Sequence, residues 1–150
     1  MSEVEIVLRL LAAAGAGVAL GFPRNLIDKP IGMRTLALVS LGAAMVTVAT
    51  LHAPILAGQP DAASRVMQGI IQGVMVGIGF IGAGVILRDT SNNRVHGLTT
   101  ATTVWIAAAL GIVCGVAAWL VAATGLVLAL AILVVLKWFE NRVTRDPEQH

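Results

Sequence analysis

Residues 77–103 read GIGFIGAGVILRDTSNNRVHGLTTATT. A glycine-dense apolar run ends at Arg88, a short polar loop follows, and Thr99, Thr100, Thr102 and Thr103 open the next apolar run. This is the pattern of two membrane helices joined by a basic loop. Gly77, Gly79 and Gly82 also spell G-x-G-x-x-G. A dinucleotide site needs a strand before those glycines, a helix after them and an acidic residue about 20 positions on. Here the glycines lie inside the apolar run 66–87, and no carboxylate stands at that distance. Gly69, Gly73 and Gly77 instead recur at i, i+4 and i+8 on one helix face, with Gly84 one heptad further. Small residues at that spacing let helix backbones approach closely in lipid. They are read as a helix-packing face, within the bundle or between two copies.

The rest of the chain has the same character. Of 150 residues, 57% are hydrophobic and 12% charged, and the mean hydropathy is +0.89. A soluble domain carries about 25% charged residues. Apolar runs cover residues 6–22, 32–51 and 66–87, and residues 98–136 hold no charge at all. That last run is about 39 residues long, whereas one span needs about 20, so it must be two helices with a tight connection near Cys114 and Gly115. The fold class is all-α: an integral membrane bundle of five transmembrane helices. The transmembrane domain is read as residues 1–137 and a short tail as 138–150, with no soluble C-terminal domain. Pro23, Asn25, Asp28 and Pro30 mark residues 23–30 as a loop, and Pro54, Gly58 and Pro60 mark 52–64 as another. Arg9 lies inside the first run. It can pair with Glu5 one turn away and snorkel to the nearer interface, or it is a buried functional arginine.

Loops one and three hold Arg24, Lys29, Arg88 and Arg94, and the tail adds Lys137, Arg142 and Arg145. The second loop offers only Arg65. The positive-inside rule puts loops one and three and the C-terminus in the cytoplasm, with the N-terminus outside. Trp138 then suits the inner interface and Trp119 the outer one. Trp105 falls mid-span, where it packs against other helices or lines a cavity.

GAGVAL at residues 15–20 is echoed by GAGVIL at 82–87, and GMRT at 32–35 by GLTT at 97–100. Two related helix hairpins pointing the same way, plus a fifth helix, would account for this order; chance within a small apolar alphabet is the alternative. A repeat would bring the two basic loops face to face, gathering Arg24, Lys29, Arg34, Thr35, Arg88, Arg94, Thr99 and Thr100. Thr99 or Thr100 would cap the fourth helix. Guanidinium groups, hydroxyls and helix N-terminal amides suit a phosphate or carboxylate. The same loops would also simply obey topology and touch anionic lipid heads.

No Asp or Glu lies mid-span, His52, His96 and His150 are scattered, and Cys114 is the single cysteine. Neither a magnesium cage nor a nucleophilic constellation is visible. The expectation is therefore no enzyme, no cofactor and no metal.

KPIGMRT at 29–35 with LVSLGAA after it, GIGFIGAGVIL at 77–87 and VHGLTTATTVWIAAALG at 95–111 resemble the MgtC/SapB family of bacterial inner-membrane proteins. The matching segments cover most of that family's transmembrane domain. Where the family usually has Gly-x-Glu-Arg, this chain has Gly21, Phe22, Pro23 and Arg24, and it has Thr35-Leu36 where Thr-His is frequent. The glycine helix is about one turn longer than the usual pattern, and many members carry a further soluble domain. The resemblance implies adaptation to low magnesium or intracellular stress, and virulence in some members. It further implies modulation of other membrane proteins, ion transport or ATP synthase among them, with membrane lipids and another inner-membrane protein as partners. A homo-oligomer is compatible with this and nucleic acid is not expected. A small-solute or ion transporter, with its path between the hairpins, is the competing reading.

Overall fold

The computed structural model describes residues 1–25, 31–54, 58–89 and 94–136. Five helices form: α1 (Glu3–Asn25), α2 (Met33–Leu51), α3 (Pro60–Val85), α4 (Leu98–Gly115) and α5 (Trp119–Ala131). The last continues into a π-helical turn, Ile132–Leu136. All five are long and apolar enough to cross a membrane, the fifth counted as Trp119–Leu136. Lys29, Trp138 and the tail lie outside the described residues.

The structure corrects the sequence reading in three places. Pro23 does not end α1, which runs through it to Asn25. Its missing N–H costs one backbone bond near the helix end, which is outweighed because Arg24 is tied to neighbouring elements. α3 starts at Pro60 rather than near Val66, with proline at the first helical position, where its lost N–H is harmless, and Asp61 beside the positive helix end. Its first turn thus extends beyond the apolar run. The third loop holds a small antiparallel ribbon, β1 (Leu87–Asp89) and β2 (Arg94–His96), with Leu87 opposite His96 and Asp89 opposite Arg94.

The break between α4 and α5 falls where the length of the uncharged run requires it. Ala117 takes the left-handed conformation there, φ 59°, and Ala118 N–H donates back to the Val113 carbonyl at 3.1 Å. A glycine would normally occupy such a position. The nearby Gly115 is used otherwise, because a Cβ on it would strike the Thr47 side chain.

Three helices form the tight core, with α2 in the middle. Gly17 and Gly21 of α1 lie against the α2 backbone at Leu36–Ala37 and Met33. Gly111 and Gly115 of α4 lie against Ser40, Ala43 and Thr47 on α2. A Cβ at any of these four glycines would overlap its neighbour. Leu20, Leu36, Val104, Ala107 and Leu110 fill one end of this core, and Ala13, Ala44, Cys114 and Ala122 the other. α3 leans on α4 and α2 through Val74, Met75 and Ile78, and α5 leans on α4. Both leave most of their surface outward.

Candidate binding site at the Arg24 end of the bundle

Arg24 sits in the last turn of α1 and is only 4% exposed. One turn earlier, Gly21 lets α1 lie directly on Gly32 and Met33, which brings the guanidinium beside the chain entering α2. Nε donates to the Ile31 carbonyl at 3.2 Å. Nη2 donates to Thr100 Oγ1 at 2.6 Å and Nη1 to Thr103 Oγ1 at 3.3 Å. Thr103 in turn donates its hydroxyl proton to the Thr99 carbonyl at 2.6 Å, leaving its lone pairs for Arg24. One buried cation therefore ties α1 to α4 and to the chain entering α2 at a single point.

The threonines reach it because of Gly97. That residue has φ 91°, and a Cβ there would run into the Val85 carbonyl. Only glycine fits both requirements. Gly97, not Thr99 or Thr100, is the N-cap of α4, and it supplies no side-chain cap. The expected threonine cap is thus corrected: Thr99 and Thr100 fall within the first turn, past the cap, and Thr100 turns to Arg24. α2 also starts without a side-chain cap, at Gly32. Two helix N-termini, each with a partial positive charge, converge on this end beside Arg24. Among the residues whose side chains are described, Glu5 with Arg9 is the only ion pair.

The other predicted site residues divide by exposure. Arg34, Thr35 and Thr99 are exposed around Arg24's end, and Thr100 is buried. Arg88 and Arg94 lie on the ribbon, Arg88 opposite Val95. Trp105 is 46% exposed on α4. Gly69, Gly73, Gly77 and Gly84 have no neighbour within 4 Å of a would-be Cβ, whereas Gly82 faces Ala101. Sequence reasoning missed the Ile31 carbonyl and the glycines that seal the core. The pairs Gly17/Gly21 and Gly111/Gly115 carry the same i, i+4 signal as Gly69/Gly73 and could have been found by it.

At the opposite end Arg9 pairs with Glu5 as expected, but it does not snorkel outward. It is 9% exposed and donates to the Gly115 carbonyl at 2.7 Å, a favourable place for a cation at a helix C-terminus. Its Nε, like Ser40 Oγ, is buried without a partner. A cavity of about 290 Å³ lies near this end, lined by residues including Thr50, His52, Pro54 and Met67. It does not touch Arg24.

A model of the MgtC family matches residues 10–142. The chain belongs to the MgtC family. It is 41% identical over 113 residues to Protein SrpB of Synechococcus elongatus, covering 71% of this chain and 61% of that protein. It is 34% identical over 141 residues to Protein MgtC of Salmonella typhimurium, covering 94% and 56%. It is 37% identical over 116 residues to the putative magnesium transporter YhiD of Escherichia coli, covering 74% and 51%. The chain thus spans little more than half the length of these relatives. No solved structure matches it. Family membership and five spans together make it a multi-pass inner-membrane protein.

Proposed function

We propose that this MgtC-family protein works by binding other membrane proteins and modulating them, ion transport or ATP synthase among the targets, during adaptation to low magnesium or intracellular stress. The observation that carries this reading is the closed core. Glycine contacts seal α2 between α1 and α4, and Arg24 is committed to Ile31, Thr100 and Thr103. What remains to act is surface: the exposed Arg34, Thr35 and Thr99 with two uncapped helix starts, and the outward faces of α3 and α5. The surface around Arg34 suits an anionic group on a partner or a lipid head. The role is read as non-catalytic, and this end of the bundle as cytoplasmic.

The test is quantitative affinity recovery from native membranes in mild detergent, comparing the wild type with an Arg34→Ala, Arg88→Ala double variant. A membrane protein recovered near stoichiometry and lost in the variant supports modulation. Recovery of the chain alone from both samples overturns it.

A transport role draws support from the designation of the Escherichia coli relative as a putative magnesium transporter. It predicts a periodic stripe of water-accessible positions along α4 through Trp105 in a cysteine scan. A dry helix speaks for the binding role.

A further inference from the structure

We propose that the cavity near the Arg9 end of the bundle binds a soft monovalent cation, copper(I) or silver(I), through the Met67 thioether and the His52 imidazole, with the Met1 thioether as a third donor. The cavity holds about 290 Å³ and lies between the end of α2 and the start of α3, against the residue that precedes α1.

Local structure brings the donors there. Ala63 and Met67 stand one turn apart on α3 and both line the cavity, so this face of the first turns looks toward α2. Met67 is half-buried, whereas its neighbours Val66 and Gln68 are exposed. His52 is the C-cap of α2, and its backbone N–H still donates to the Val48 carbonyl at 2.9 Å. That bond fixes the residue just beyond the last turn. A helix C-terminus carries a partial negative charge, which favours a cation beside it. Met1 lines the same space.

The donor set selects the ion. None of the described lining residues is Asp, Glu or Cys. Among the described residues, no three His, Cys, Asp or Glu side chains gather anywhere. Magnesium and calcium take oxygen ligands, carboxylates among them, and structural zinc takes four ligands from Cys, His or carboxylate. The lining hydroxyl of Thr50 already donates to the Val46 carbonyl at 2.9 Å. Neutral sulfurs and an imidazole remain. Thioethers are soft, polarisable donors that select copper(I), and silver(I) has the same charge and softness. A neutral donor set suits a single positive charge better than a double one. The ion also acts on the fold. α3 leans on the core through Val74, Met75 and Ile78, two turns or more further along, so an ion held by Met67 and His52 fastens the start of α3 to α2.

The experiment titrates the full chain with silver nitrate in chloride-free detergent solution and follows the labelled methionine methyl groups by NMR. Cys114→Ala removes the single thiol, and silver(I) stands in for copper(I) without its redox chemistry. One equivalent is expected to shift the Met67 methyl, to leave Met33, Met45 and Met75 in place, and to raise the melting temperature. His52→Ala should weaken binding at least about tenfold, since loss even of a group that only supports a ligand costs that much. Met67→Leu conserves volume, so without silver it should melt like its parent, while its silver affinity falls as in the histidine variant. Silver binding unchanged in both variants overturns the proposal. So do shifts spread over all the methionines, or a Met67 shift caused by magnesium chloride rather than by silver.

Discussion

A guanidinium inside a membrane bundle must find acceptors for donors that point in several directions. Arg24 finds two hydroxyls and a carbonyl, and Arg9 a carboxylate and a helix-terminal carbonyl. In each case at least one contact crosses to α4, so the cost of burying the charge is offset by holding the bundle together. Thr100→Val should leave the shortest of Arg24's bonds unmade in a buried place and lower stability by about 1–3 kcal/mol. Thr102→Val, on the exposed side of the same turn, should change it by less than about 0.5 kcal/mol. Thermal unfolding in detergent distinguishes them. Arg24→Lys should also destabilise, because a compact ammonium cannot reproduce the fixed fork that meets three acceptors. The sequence identified Arg24 and Thr100 as belonging to one end of the bundle. It could not show that Arg24 turns inward while Arg34 stays outside, since both are arginines at helix ends. Nor could it show Ile31 as an acceptor, because every residue has a backbone carbonyl.

At the scale of the helix, the instructive contrast is between glycines that obey the same spacing. Gly17 with Gly21 and Gly111 with Gly115 sit in intramolecular crossings, whereas Gly69, Gly73 and Gly77 face outward. A close-approach signal states that a backbone can be neared, not by what. The choice depends on which helices share a core, and α2 meets α4 across a long stretch of intervening chain. Gly111→Val should therefore destabilise the monomer by about 3 kcal/mol, since the added atoms meet the Ser40 carbonyl and cannot be accommodated by a rotamer change. Gly77→Val should leave monomer stability nearly unchanged. Denaturant titration of each variant in detergent micelles measures the difference. The limits of the helices were less legible than their number. Pro23 reads as a stop and is not one, because packing against α2 and α4 outweighs one lost backbone bond.

For the whole molecule, apolar run length was sufficient to count five spans, and the uncharged stretch of residues 98–136 divided where length demanded. The grouping into a sealed trio with two outer helices was not visible, because α1, α2 and α4 are all apolar and only their glycines and threonines differ in use. The proposed orientation rests on loop charge, and it makes a direct prediction. In a Cys114→Ala background, an impermeant maleimide should label Arg34→Cys from the cytoplasmic side and Ser2→Cys from the outer side. Ser40→Cys, fully buried in the core, should resist labelling from either side. Labelling of Ser40→Cys at a rate comparable with the exposed positions would contradict a dry core and favour a solute path through it.

The two arginine contacts also govern how the protein is made. Arg24 bonds to a residue 79 positions later and Arg9 to one 106 positions later. At about 5–20 residues per second of synthesis, each guanidinium waits roughly 4 to 20 s before α4 leaves the ribosome. During that interval α1 and α2 can meet through Gly17 and Gly21, but both charged heads lack those later acceptors, so the nascent hairpin must be held where water or lipid phosphates can solvate them. Arrival of the fourth helix is then the committing step of biogenesis. A chain arrested before residue 98 would present the insertion machinery and membrane proteases with Arg24 short of its two hydroxyls and Arg9 held by Glu5 alone, a mark by which an unfinished copy can be recognised and removed.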